Sequence, residues 1–142
     1  MRRRHTLSIS AIVLLPLAAC ATTPRGDDCS VSPSPCVAPG ESFAVDTSGR
    51  RVTPGDLRIA LSDVPEDSRC PTGVQCVWAG RARVRLRVDS ANYERSIELR
   101  TDSATAALFG HSITLDSLLP HPVAGRPLAR SQYRAWLHVT RR

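Results

Sequence analysis

The chain contains no lysine: all 19 of its basic residues are arginine. Such a bias reflects a GC-rich coding sequence more simply than it does phosphate recognition. Aromatic residues make up only 4%, too few for a stacking platform that would hold single-stranded nucleic acid. A glycine-rich phosphate loop, a nucleophile elbow and a metalloprotease helix motif are all missing. His111, His121 and His138 are scattered without metal-ligand spacing, and no two cysteines stand as Cys-x-x-Cys. These absences point away from nucleic-acid binding and zinc chemistry, and no cofactor or metal is expected.

What is present begins with an export signal. Arg2-Arg3-Arg4 precede an apolar stretch from Leu7 to Leu17, too short to remain as a membrane span. It closes on Leu17-Ala18-Ala19-Cys20, which resembles the bacterial lipobox. That resemblance implies cleavage of residues 1–19 and acylation of Cys20, a stable anchor when several chains share one residue. Ala21 lacks the aspartate that retains such proteins in the inner membrane, so the expected location is the outer membrane, facing the periplasm. Residues 20–40 are rich in Thr, Ser, Pro, Asp and Gly and read as a tether. From residue 20 onward, sixteen arginines face thirteen acids, an ordinary balance for solubility. Five cysteines in a small exported chain indicate an oxidising compartment.

Residues 41–142 carry β patterning. Leu57, Ile59 and Leu61 alternate with polar or small neighbours, and Arg81 to Val88 is the clearest strand. There Ala82, Val84, Leu86 and Val88 point one way while Arg81, Arg83, Arg85 and Arg87 point the other. Glu94 and Glu98 on the next strand can sit opposite this arginine row. The row reads either as a partly paired solvated face or as a surface for an anionic ligand. Pro54-Gly55 suits the centre of a type II turn, and residues 102–110 read as a short helix or irregular loop. In the last strand Tyr133, Ala135, Leu137 and Val139 face inward, leaving Trp136 and His138 on the opposite face, where Trp136 is a candidate contact.

The densest stretch is 66–80, Glu-Asp-Ser-Arg-Cys-Pro-Thr-Gly-Val-Gln-Cys-Val-Trp-Ala-Gly. Pro71 and Gly73 let the segment turn back tightly enough for Cys70 and Cys76 to bond. Cys29 and Cys36 then make a second local pair, with a bridge from the tether to the central loop as the competing connectivity. Trp78 reads as a packing anchor against the sulfurs; exposed, it would instead mark a recognition hot spot. Asp67 and Ser68 read as turn residues.

Asp67-Ser68-Arg69-Cys70-Pro71 followed by Val74-Gln75-Cys76-Val77-Trp78-Ala79-Gly80 resembles the signature of a family of small bacterial lipoproteins of uncharacterised function. Ile113-Thr114-Leu115 through Leu119-Pro120-His121-Pro122, and Tyr133-Arg134-Ala135-Trp136-Leu137, are similar to its C-terminal half. The resemblance spans about residues 41–140 and implies a fold, without an activity. The expectation is one antiparallel all-β domain of about six to eight strands, a sandwich or partly open barrel. Its expected role is that of a non-enzymatic binding or structural module, anchored to the membrane through Cys20. An envelope protein or anionic ligand would be its partner, and its oligomeric state stays open. Two alternatives are a protease inhibitor presenting loop 66–80 and a thiol- or copper-handling redox protein using Cys70 and Cys76.

Overall fold

The computed structural model describes residues 35–142. The expected signal peptide, the lipidated Cys20, Cys29 and most of the tether lie outside the described residues.

The described chain is all-β. Its strands are β1 (Cys36–Val37), β2 (Phe43–Asp46), β3 (Thr53–Pro54), β4 (Leu57–Asp67), β5 (Ala82–Ser90), β6 (Tyr93–Arg100), β7 (Thr105–Leu108), β8 (His111–Leu119) and β9 (Arg134–Arg141). Two antiparallel sheets carry the architecture, ordered β4-β5-β6 and β2-β9-β8-β7, and β1 pairs in parallel with β3 as a small third unit. Seven strands exceed two residues, within the expected six to eight.

Alternation explains the core. Val84, Leu86 and Val88 of β5 are fully buried between Leu57, Ile59 and Leu61 of β4 and Leu99 of β6. Ile113, Leu115 and Leu118 of β8 with Ala135, Leu137 and Val139 of β9 supply the opposing layer. Each such aliphatic side chain contributes about 1.5–3 kcal/mol on burial, so the sheets cohere mainly on aliphatic side chains, joined by Phe43 and Tyr133.

Three expectations need correction. Residues 105–108 form a strand, not a helix or loop, because Thr105, Ala106, Ala107 and Leu108 pair with Thr114, Ile113, Ser112 and His111. The turn after β3 is Gly55–Asp56, one residue later than Pro54-Gly55: Gly55 takes φ +61° and Pro54 stays in the strand. The folded unit also starts before Glu41, since Val37 packs against the core and Gly40 N–H donates to the Val139 carbonyl.

Strand direction gives the domain two poles. Pro35, where the described chain begins, accepts a backbone hydrogen bond from Thr53 at the Leu57 end of β4. The loop joining β4 to β5 leaves from the Asp67 end. Ten residue steps along β4 separate them by roughly 30 Å.

Candidate functional site

The β4–β5 loop is built on a mostly buried ion pair. Arg69 donates from Nε and one terminal nitrogen to the two oxygens of Asp67, at 2.8 and 2.7 Å. Its guanidinium also donates to the carbonyls of Leu118 at 2.5 Å and Pro120 at 2.9 Å. The Tyr133 hydroxyl donates to Asp67 Oδ2 at 3.0 Å. Both charged side chains keep only 9% of their surface exposed, so the planar fork of arginine is used here for bidentate pairing under low solvent access.

Burial pushes the Asp67 carboxyl upward, yet the hydrogen bonds and charge of Arg69, with the Tyr133 hydroxyl, outweigh it. The carboxyl is held below the ordinary aspartate value. Burial raises Tyr133 in turn, as do its hydrogen bond to Asp67 and that residue's charge. Asp67 accepts the backbone N–H of Arg69 at 3.3 Å, as expected of a turn residue, and is in addition the hub of the loop base. Ser68 bonds across the mouth of the loop instead of to its near neighbours: its backbone N–H and hydroxyl both donate to the Arg81 carbonyl at 2.8 Å, thirteen residues away.

Above this base the loop is closed several times over. Cys70 and Cys76 form a disulfide with Cα atoms 5.9 Å apart, and Cys70 N–H donates to the Ala79 carbonyl at 2.9 Å. His121 Nε2 donates to the Cys70 carbonyl at 3.1 Å. Thr72 and Val123 form a bridge in which Thr72 donates to Pro122 and Ala124 donates to Thr72. Gly80, at φ +65°, lets the returning chain pass the Ser68 carbonyl so closely that a Cβ there would lie 1.7 Å from the oxygen.

The apolar tip of this braced loop faces water. Val77 is 89% and Trp78 82% exposed, with Val74 also exposed. The expected packing of Trp78 against the sulfurs is therefore corrected. The disulfide lies at one pole, outside the sandwich, and the strands already fill the core with aliphatic side chains. A shallow cleft of about 380 Å³ beside the indole is lined by Glu66, Ser68, Trp78, Gly80, Arg81 and Asp102.

The arginine row is largely paired. Arg83 meets Glu66 at 3.0 Å and Glu98 at 3.8 Å, Arg85 meets Glu98 at 2.8 Å, Arg87 meets Glu94 at 3.4 Å, and Arg81 meets Asp102 at 3.8 Å. Glu66 and Asp67 diverge, one to Arg83 and the other to Arg69. Trp136 lies on the outward face of β9, in the sheet opposite the one from which the 70–80 loop leaves. Cys36 is disulfide-bonded, and its expected partner Cys29 lies outside the described residues. The histidines do not converge: His111 is buried beside Asp56, His121 braces the loop, and His138 bonds Asp116. Among the described residues no group of three or more His, Cys, Asp or Glu side chains is placed to hold a metal.

No family model, curated protein or solved structure matches this chain.

The role of Arg69 escaped the sequence reading because its carbonyl partners come from about fifty residues away. The local signal was the i, i+2 spacing of Asp67 and Arg69, which places both side chains on one side of an extended segment.

Proposed function

We propose that this chain is an envelope lipoprotein, anchored through Cys20, whose domain is a non-enzymatic binding module presenting the 70–80 loop to a protein partner. The observation that carries the reading is the exposure of Val77 and Trp78 on a segment tied by a disulfide, a buried ion pair and a bridge to residues 122–124. Pre-organised display of an aromatic side chain lowers the entropy lost on docking, and tryptophan is a favoured hot-spot residue.

A protein fits this site better than the anchoring bilayer. The loop leaves the Asp67 end of β4, the pole opposite Pro35, so an anchor upstream of Pro35 joins the domain at the end remote from the loop. Protease inhibition remains a second reading, favoured by the same braced and protruding loop. The thiol or copper reading needs free sulfurs at Cys70 and Cys76, and these are bonded to each other.

A photo-crosslinking residue at position 77, with position 95 on the other pole as control, tests this in intact envelopes. The expected result is one protein adduct from position 77 and none from 95. The captured protein, once purified, should bind the Trp78→Ala chain at least about tenfold more weakly than the unaltered one. Lipid adducts from position 77, or equal affinity for the two chains, would overturn the reading.

A further inference from the structure

Exposed apolar side chains gather at one end of the fold. Of the seven large hydrophobic residues that stand exposed among the described residues, five lie at the Asp67 pole. Val74, Val77 and Trp78 belong to the 70–80 loop; Leu119 ends β8, and Val123 lies just beyond it. Scattered single apolar residues are ordinary on a surface, whereas a gathered patch marks one that another molecule covers.

The segment after β8 is braced like the 70–80 loop. Thr72 and Val123 form a parallel bridge that ties the two together. The Arg126 N–H donates to the Val123 carbonyl at 3.0 Å, and Gly125, at φ +72°, takes the third position of that turn. A cleft of about 450 Å³ runs between the two segments, walled by Pro71, Val123, Pro127, Leu128 and Tyr133. Fixed prolines and a closed turn leave little freedom to lose on docking.

Charge at this pole is paired with one exception. Glu66 meets Arg83, Asp67 meets Arg69, Asp63 meets Arg130, and Asp102 meets Arg81 and Arg100. Arg134 stands across the strands from Asp46. Asp67 also lines the cleft, already neutralised by Arg69. Arg126 lines it too, exposed and without an ion pair among the described residues. The cleft thus offers an apolar wall and one surplus guanidinium, whose planar fork suits a carboxylate.

We propose that the partner of the 70–80 loop docks on the 119–128 segment as well, seating an apolar side chain in this cleft and a neighbouring carboxylate on Arg126. The inference rests on the reading of Trp78 as a protein contact and adds to it a second loop and the partner's chemistry. A dry interface over the patch strands the Arg126 charge unless the partner brings its counter-charge. A second copy of the chain fits less well, because each of these carboxylates already has an arginine beside it.

The test pans the full chain against a phage-displayed library of random dodecapeptides. The expected consensus places Asp or Glu beside Leu, Ile, Val or Phe. A synthetic peptide of that consensus should bind Arg126→Glu and Trp78→Ala chains at least about tenfold more weakly than the unaltered one. Val123→Ser should weaken it about fivefold, and circular dichroism should be unchanged in all three variants. Panning against Arg126→Glu should exchange the acid of the consensus for Arg or Lys. Peptides that need Trp78 but ignore Arg126→Glu would overturn this inference and leave the loop reading standing. Peptides indifferent to Trp78→Ala, or no enrichment, would overturn both. Preferential binding to phosphatidylglycerol vesicles, or a concentration-dependent dimer lost in Arg126→Glu, would also overturn the inference.

Discussion

Replacing Arg69 by methionine removes the guanidinium while keeping much of the side chain's length and apolar volume. Four hydrogen bonds vanish together: two to Asp67, one to Leu118 and one to Pro120. The larger effect is on what remains. Asp67 stays mostly buried with only the Tyr133 hydroxyl and the backbone N–H of residue 69 to solvate its charge, and two carbonyls lose a donor. Breaking a buried pair from one side costs about 3–5 kcal/mol, mainly through the charge left behind. For a domain near a hundred residues that corresponds to a fall in melting temperature on the order of 20 °C. Urea unfolding of the unaltered chain, Arg69→Met, Asp67→Asn and the double variant gives the full cycle. The double variant should be more stable than Arg69→Met alone, because no orphaned carboxylate remains. A cost below about 1 kcal/mol for Arg69→Met, the range of an exposed pair, would refute the reasoning. Strictly additive costs in the cycle would do so as well.

Further outcomes follow from the same loop. Because the Asp67 carboxyl is held below its ordinary value, its contribution is complete above that value and is lost as pH falls through the folded one; urea midpoints measured from pH 7 down to 2 should fall less in Arg69→Met than in the unaltered chain, because protonating the orphaned, buried carboxyl relieves its cost. Gly80→Ala combines a left-handed backbone with a Cβ forced against the Ser68 carbonyl, so calorimetry should show a loss on the order of 3 kcal/mol. Replacing Cys70 and Cys76 together by serine removes a short covalent loop and should cost about 2 kcal/mol in the chain-entropy account, read from chemical denaturation. Both variants should weaken the binding assigned to the 70–80 loop, since each loosens its display of Trp78.

The strands were legible wherever alternation was strong. Ala82 to Val88 and Ile113 to Leu115 carry aliphatic residues at period two, and the structure buries those residues. The short strand at Thr105–Leu108 was not legible, because its two alanines are poor strand formers and only pairing with β8 holds them extended. The small cysteine loop was readable from Pro71 and Gly73, and the structure closes it. The position of Trp78 was not readable: composition cannot tell whether an aromatic beside a disulfide faces the core or the solvent. That depends on whether the strands fill the interior unaided, and here Leu57, Leu61, Leu86 and their neighbours do. The arginine row was read as partly paired or as a ligand surface, and cross-strand register decides how much pairing it finds: β6 brings Glu94 and Glu98 within reach, and Glu66 comes from β4.

The central claim is that Trp78 is held in water by a braced loop. Trp136→Phe leaves Trp78 as the only tryptophan, and its steady-state emission with acrylamide quenching measures its environment directly. The account predicts emission close to that of free indole in water, with quenching nearly as efficient as in a short peptide. Blue-shifted emission protected from acrylamide would contradict it and return Trp78 to the core.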